Sequence, residues 1–591
     1  MINVSNDYIK ACEARTRDSY IIVKYGLYNR KAKASISGLV ASDKQPFSNL
    51  SDTFDENTTA NNFITCELNR VVLDNTFQFI FDKTKTSNLQ SVGYWSETLS
   101  TSTGMYRNNP SITYSFNQKI QFTPLTLYFQ EVIESFVVVY KLENEIVFTR
   151  QIDNNKELIV ETTSTSDNPN IMFDEITINF LKSATGVRYV KLNEVNFGIY
   201  GTFTNSQIKE LDIIDEISIN GSDLPSNSCT LSIIDKDGEF DLLNPYNKLT
   251  QLKERQTVNV YHYLRVNGVY REVPLGSFLL KNVNSSERQT LKIECYDATY
   301  FMDKAYIGSK MYVNASIETI LNDLFDYFNF TNYLIDSSVD NILLSGYIPN
   351  CDMREALRLI VEAGQCIVNV NRYGQVYISK GKSTPDKVFS RSEMASLNSQ
   401  NTLYNNIIDV SEYSIGDLGN ELVEVYNGQI TTGTNTIEFD EVVDPNSIAI
   451  SYPSAIITST ISKKSCKGCI INVDNVINPT DIILKAKVYE EKKSIKRFIK
   501  DETLTLDESQ IQSVDNHLIT SSNSKNIGEW KLNSGEFTYN FNCLSLPYIE
   551  TGDTCTIDTK YKDYSGNKIY KNFVVSKIEY TQAIKQTIEG E

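Results

Sequence analysis

The sequence predicts a chain of several mainly β domains with one small α+β unit. Three observations carry this. At 591 residues the chain is too long for one core, and about four domains are expected. Short segments of alternating polarity, rich in Val, Ile, Thr and Tyr, recur along its length. Two stretches, close together, carry the 3.6-residue apolar period of a helix.

Residues 1–84 hold a few strands, ITCELNRVVL among them, divided by a Ser/Asp/Asn-rich stretch at 48–62. Residues 85–202 read as one all-β unit of sandwich size. Its inner strands are 112–116, Leu125–Phe129, 136–140 and 176–180, and it closes with 188–192 and 195–198. Residues 203–305 form the next β domain, and 306–382 the α+β domain. In the first helix Ile317, Ile320, Leu321, Leu324, Phe325 and Phe328 share one face, with Asn314 or Ser316 as cap. In the second, Asp352 and Glu355 have capping-box spacing. There Met353, Ala356, Leu357, Ile360 and Val361 form the stripe, and Gly364 stops the helix. Both stripes are read as core. Residues 383–500 are a further β domain and 501–591 a C-terminal one. Turn signals fall at Asn220-Gly221, Asn267-Gly268, Tyr373-Gly374 and Ser565-Gly566. No period repeats, so the chain is not a solenoid.

A net charge of -18 argues against gripping nucleic acid, which needs clustered Lys and Arg. An acidic surface suits a conduit past which DNA slides, but such surfaces more often simply give solubility. No apolar run is long enough to cross a bilayer, so no membrane insertion is expected. The start, MINVSNDYIK, lacks the basic and apolar regions of a signal peptide, so assembly in a cytosol is expected.

The ten cysteines are scattered, mostly within apolar strands, as reduced buried thiols would be. One CxxC occurs, Cys466 to Cys469, with no second pair and no nearby His. It reads as a hairpin turn rather than a zinc site. The run Asp235, Asp237, Gly238, Glu239, Asp241 spaces oxygens as a calcium loop does, but it lacks the distal Glu and reads as a β-turn. His262 lies in an alternating strand and His517 in a polar stretch, neither beside a nucleophile motif. No GxSxG, HExxH, Walker loop or dinucleotide fingerprint is present. Some carboxylate pair always exists among 74 acidic residues, which is too unspecific for a glycosidase. Catalytic residues, metals and cofactors are therefore not assigned.

The unit at 94–201 resembles the discoidin-like carbohydrate-binding modules of phage tail proteins. The residues that carry this are Gly93-Tyr94-Trp95-Ser96, Leu99-Ser100, Gly104, the PSITYSF run at 110–116, RYVKL at 188–192 and EVNFG at 194–198. The resemblance implies a β-sandwich whose end loops bind a glycan by aromatic stacking and polar contacts. Trp95, Tyr106 and Arg107 are the candidates, with a core position as the competing reading for Trp95.

From 203 onward the chain resembles phage tail hub and tail-associated proteins. The carrying segments are CTLSIIDKDGEFD at 229–241 with Asn244-Pro245, PLGSF at 274–278, and 291–297. The helix to Gly364, the Asn371–Gly374 hairpin and LPYIETGD at 546–553 complete the set. This implies hub-type β-barrel domains beside the α+β domain and the discoidin-like sandwich. Residues 1–84 would complete the first barrel. It further implies a homotrimer at the tail tip or baseplate, closing the tail tube and contacting other baseplate proteins. Sequence-specific nucleic acid is not among the expected partners. A host cell-wall glycan is a further expected partner. The alternative is a peripheral receptor-binding protein using the sandwich as adhesin, which the flanking hub-like segments disfavour.

Overall fold

The computed structural model describes residues 2–590 apart from 15, 29, 55–62, 71–91, 123, 163–170, 237, 239, 241–254, 287–289, 382–383, 402–405, 452–458, 475–479, 505–509, 535–536 and 582–584. Strands take 54% of the residues and helices 12%, so the fold is mainly β, in several domains.

One hydrogen-bonded sheet of 16 strands runs through most of the chain. Its centre is a β lobe of six strands, Ser19–Tyr28, Ile208–Glu216, Ser228–Ile234, Thr257–Val266, Val269–Ser286 and Thr290–Tyr296, extended by the second half of a seventh, Lys191–Thr204. The alternation read from the sequence is what builds it. Ser228–Ile234 pairs with Thr290–Tyr296 so that Cys229 faces Cys295, Leu231 faces Ile293 and Ile233 faces Leu291, all buried. Asn267 and Gly268 turn the long hairpin with φ of 49° and 84°, the left-handed pair that a two-residue hairpin needs.

A second six-stranded lobe comprises Lys387–Phe389, Ala395–Asn401, Phe537–Leu544, Thr554–Lys562, Lys568–Thr581 and Lys585–Gly590. The lobes join where Ile208–Glu216 pairs with Lys568–Thr581, Ile213 opposite Tyr580. One apolar core runs through both, from Tyr8 and Cys12 of the helix Asn6–Glu13 to Ile588.

The N-terminal segment divides. Ser19–Tyr28 enters the first lobe, with Val23 opposite both Val260 and Phe203. Ile36–Ala41 instead becomes the edge strand of the sandwich, in the order Ile36–Ala41, Ser111–Gln121, Met172–Ser183, Ile133–Leu142, Glu145–Ile152. The facing layer holds Leu125–Phe129, Ile159–Glu161, Tyr94–Trp95 and the first half of Lys191–Thr204. Tyr114, Phe136, Tyr140, Phe173 and Phe180 fill the space between.

In the α+β unit both helices bury the expected stripes, except that Phe328 lies past the end of the first as its C-cap, half-buried. Ser316 caps the first. Asp352 caps the second by accepting from the Glu355 N–H at 2.7 Å, but the Glu355 carboxylate turns to Arg358 instead of closing a capping box. Gly364 is its last helical residue, and Gln365 takes the left-handed conformation.

The cores group the rest of the chain differently from boundaries at 383–500 and 501–591. Ile407–Leu418, Tyr489–Ile499, Ile511–Val514 and the helix Ser524–Asn533 pack into the α+β core through Ile408, Val410, Val514, Ile527 and Leu532, with the half-buried Phe498 from Tyr489–Ile499. The strands from Val423 to Ala486 form a small β unit with its own core, set between Ile407–Leu418 and Tyr489–Ile499. Ser524–Asn533 escapes a periodicity reading because it has few apolar residues and a glycine, Gly528, against the Phe498 ring.

Candidate functional site

Three of the segments that carried the hub resemblance, 274–278, 371–374 and 546–553, meet at one buried junction. Arg372, at the turn of the 371–374 hairpin, inserts between the two lobes. Its Nη1 donates to the Leu275 carbonyl at 2.6 Å and lies 2.9 Å from Asp215 Oδ2. Its Nη2 donates to the Ile549 carbonyl and the Tyr580 hydroxyl, both at 3.0 Å. Thr551 donates its hydroxyl to Asp215 at 2.9 Å. Arg372 and Asp215 are both buried.

Burial pushes the Asp215 carboxyl up, and the guanidinium and the Thr551 hydroxyl pull it back. Burial alone would lower the guanidinium; Tyr580 and the carboxylates of Asp215, Glu550 and Asp553 outweigh it and hold Arg372 charged. Nearby, Asp297 accepts from the Asn227 N–H at 2.8 Å and from the Thr299 N–H and hydroxyl. Burial still pushes its carboxyl up to about 6. The loop it fixes presents the Leu224 carbonyl to the Arg354 guanidinium of the second α+β helix. A groove of about 700 Å³ opens beside the junction, walled by Asn369, Tyr373 and Tyr377 on one side and 550–553 on the other.

Arg372 and Thr551 lie inside segments that the sequence had marked, though not as a charge site. Asp215 carried a signal that went unread. In Ile208–Glu216 the inward positions are Leu211, Ile213 and Asp215, so an acid sits in the core phase of a strand.

The sandwich candidates separate. Trp95 is 1% exposed, boxed in by Phe47 and Phe63 at ring separations of 5.3 and 5.8 Å, with the Lys191 ammonium 4.6 Å over its face. Lys191 is itself buried between Glu67 at 2.6 Å and Glu131 at 2.7 Å, and Arg188 adds a contact to Glu131 at 3.0 Å. Tyr106 is also in the core. Neither ring has a face open to a sugar. Arg107 is exposed.

His262 is buried against the Tyr8 hydroxyl at 3.2 Å, and burial pushes it down to about 4. His517 is partly buried beside Tyr347 and Tyr413, 3.0 Å from Glu491. Cys466 and Lys467 form the two-residue turn between Ser459–Ser465 and Gly468–Val473, and burial pushes both thiols, Cys466 and Cys469, up to about 12. Of the 235–241 run, Asp237, Glu239 and Asp241 lie outside the described residues. Among the described residues no three His, Cys, Asp or Glu side chains are grouped to hold a metal.

No family model and no curated protein matches the chain. Solved structures do. A 43 kDa tail protein of prophage MuSo2 from Shewanella oneidensis is 9% identical over 66% of this chain and 94% of that one, with a TM-score of 0.37. A tail protein from Neisseria meningitidis is 10% identical over 66% and 93%, with a TM-score of 0.38. A fucose-binding module from Streptococcus pneumoniae is 13% identical over 27% and 88%, with a TM-score of 0.18. These are what the chain is similar to.

Two outcomes are expected at the junction. Arg372→Leu strands Asp215 in the core and costs about 3–5 kcal/mol. In urea unfolding, Asp215→Leu combined with Arg372→Leu recovers part of that loss, because no lone charge remains. Asp297 holds a proton in the folded state that the unfolded chain releases, so its contribution falls as pH rises from about 4 to about 6 and is level above. A raise of about two units corresponds to about 3 kcal/mol. Stability measured across that window declines less steeply in Asp297→Asn than in the unaltered chain.

Proposed function

We propose that this chain is a structural, non-catalytic hub protein of the tail tip or baseplate of a phage or phage-tail-like particle. In this reading it acts as a homotrimer that closes the tail tube and anchors neighbouring baseplate proteins. The observation that carries the reading is the pair of β lobes joined edge to edge through Ile208–Glu216 and Lys568–Thr581. Two β lobes in one chain would let three chains present six faces, which is what a threefold tip needs to meet a sixfold tube. The hub-like segments 274–278, 371–374 and 546–553 support it further, because they meet at the Arg372 junction.

The sandwich serves in this reading as an accessory glycan-binding module. With Trp95 and Tyr106 in the core, recognition would fall to exposed end loops, where Arg107 lies.

Cryo-EM of purified particles tests the hub. Three copies on the tube axis are expected. Copies off axis at the rim would overturn the hub and favour a receptor-binding protein. For the sandwich, sedimentation of the full chain with host cell walls should weaken in Arg107→Ala, with thermal stability unchanged to within about 0.5 kcal/mol. Trp95→Ala should instead cost about 3–5 kcal/mol of stability. No sedimentation of the unaltered chain above a control protein would remove the glycan role.

A further inference from the structure

Each lobe carries one long hairpin, and the two differ in how their tips are satisfied. In the first lobe the tip is engaged within the chain. The Tyr270 hydroxyl donates to Asp18 at 2.9 Å, Arg265 lies 3.5 Å from the same carboxylate, and Asn267 donates to Asp7 at 3.0 Å. Basic and aromatic side chains there meet acids of the N-terminal segment.

In the second lobe the hairpin of Thr554–Lys562 and Lys568–Thr581 runs on past the core. From Lys560 to Asn572 every residue is exposed except the half-buried Ile569. The arm reads KYKDYSGNKIYK, with four lysines and three tyrosines, in a chain of net charge -18. Tyr561 is 74% exposed, Tyr570 48%, and Tyr564 wholly so. Its one aspartate, Asp563, is occupied by the turn, accepting from the Ser565 and Asn567 N–H groups at 2.8 Å. Lys568 is held by Asp558 at 2.7 Å. Among the described residues Lys560, Lys562 and Lys571 have no ion-pair partner.

A two-stranded ribbon with both faces in water is marginal by itself. This one is fixed in shape all the same. Gly566 turns it at φ 83°, and Lys560 sits in a bulge at φ 68°. The Thr559 hydroxyl donates to the Ile569 carbonyl at 2.7 Å. A pre-ordered arm of exposed tyrosines has the make-up of an interface anchor, with the unpaired lysines placed to form its charged rim and steer the partner.

We infer that this arm docks on an acidic surface of a second copy of the same chain, a head-to-tail contact that closes a ring. The inference rests on the hub reading and supplies its contact. Charge complementarity selects the occupant, since the arm is basic while the chain as a whole is strongly acidic. The first lobe shows the chemistry already at work, with a Tyr hydroxyl and an Arg on carboxylates. An arm on one surface and an acidic acceptor on another is a heterologous pair, the kind of contact that generates rings.

Sedimentation velocity on the full chain tests this, comparing it with Tyr561→Ser/Tyr564→Ser and with Lys562→Glu. These residues are exposed, so circular dichroism should be unchanged in every variant. The unaltered chain should form trimers that weaken as salt rises, and the double tyrosine variant should lose about 100-fold or more in self-association. Equal association of variant and parent would overturn the inference, as would a parent that stays monomeric at every soluble concentration. A labelled DNA oligonucleotide bound by the parent and lost in the variants, with association unaltered, would overturn it in favour of nucleic acid. Variant particles that still hold three axial copies would sink the arm and keep the hub; parent particles without axial copies would sink the hub itself.

Discussion

Arg372 directs its donors at parts of the chain far apart in sequence: the Leu275 and Ile549 carbonyls, the Tyr580 hydroxyl and the Asp215 carboxylate. Taking such a pair out of water costs several kcal/mol per ion, and the cost is offset only when the remaining bonds are satisfied. The guanidinium fork is planar and rigid, so its acceptors must arrive together in one geometry. That fixes the first lobe, the second lobe and the α+β hairpin in a single relative placement. The turn behind Arg372 is equally constrained. Asn371 accepts from the Tyr373 and Gln375 N–H groups at 3.0 Å, and Gly374 sits at φ 79°. A Cβ added to Gly374 would come within 3.0 Å of the Ser277 hydroxyl, so the hairpin approaches the first lobe as closely as a glycine allows.

What the sequence made legible was local. Strand alternation set which residues of 228–234 and 290–296 face inward, and the Asn267-Gly268 pair placed the hairpin turn. The two helix stripes were readable for the same reason, since period and capping are properties of neighbouring residues. Long-range pairing was not legible. Nothing in ISGLVA says that Ile36–Ala41 joins a sandwich whose next strand begins 70 residues later. Nor does the sequence say that 407–418 belongs with helices rather than with the strands that follow it. For Trp95 and Tyr106 burial decides, and burial is not a property of neighbouring residues. An aromatic before a loop reads alike whether its ring faces sugar or the Lys191 ammonium, and only the fold brings Glu67 and Glu131 to hold that ammonium in place.

The way the sandwich is attached bears on what it can do. Tyr28 lies opposite Gly198, so the chain leaves and re-enters the first lobe at adjacent points of one strand pair. Lys191–Thr204 is continuous through both bodies, its first half in the sandwich and its second half in the lobe. A module joined this way is an outgrowth of the lobe's own sheet. A flexible tether would cost it orientation; a shared 14-residue strand does not. Weak contacts at a sandwich end would thus be presented in a fixed direction by each copy, the condition under which several copies gain avidity instead of binding singly. The same continuity means that excising 94–201 would also remove the residues pairing with Leu27 and Tyr28. The natural seam of the insertion is the Tyr28 and Gly198 pair, where a hairpin turn could reconnect the lobe.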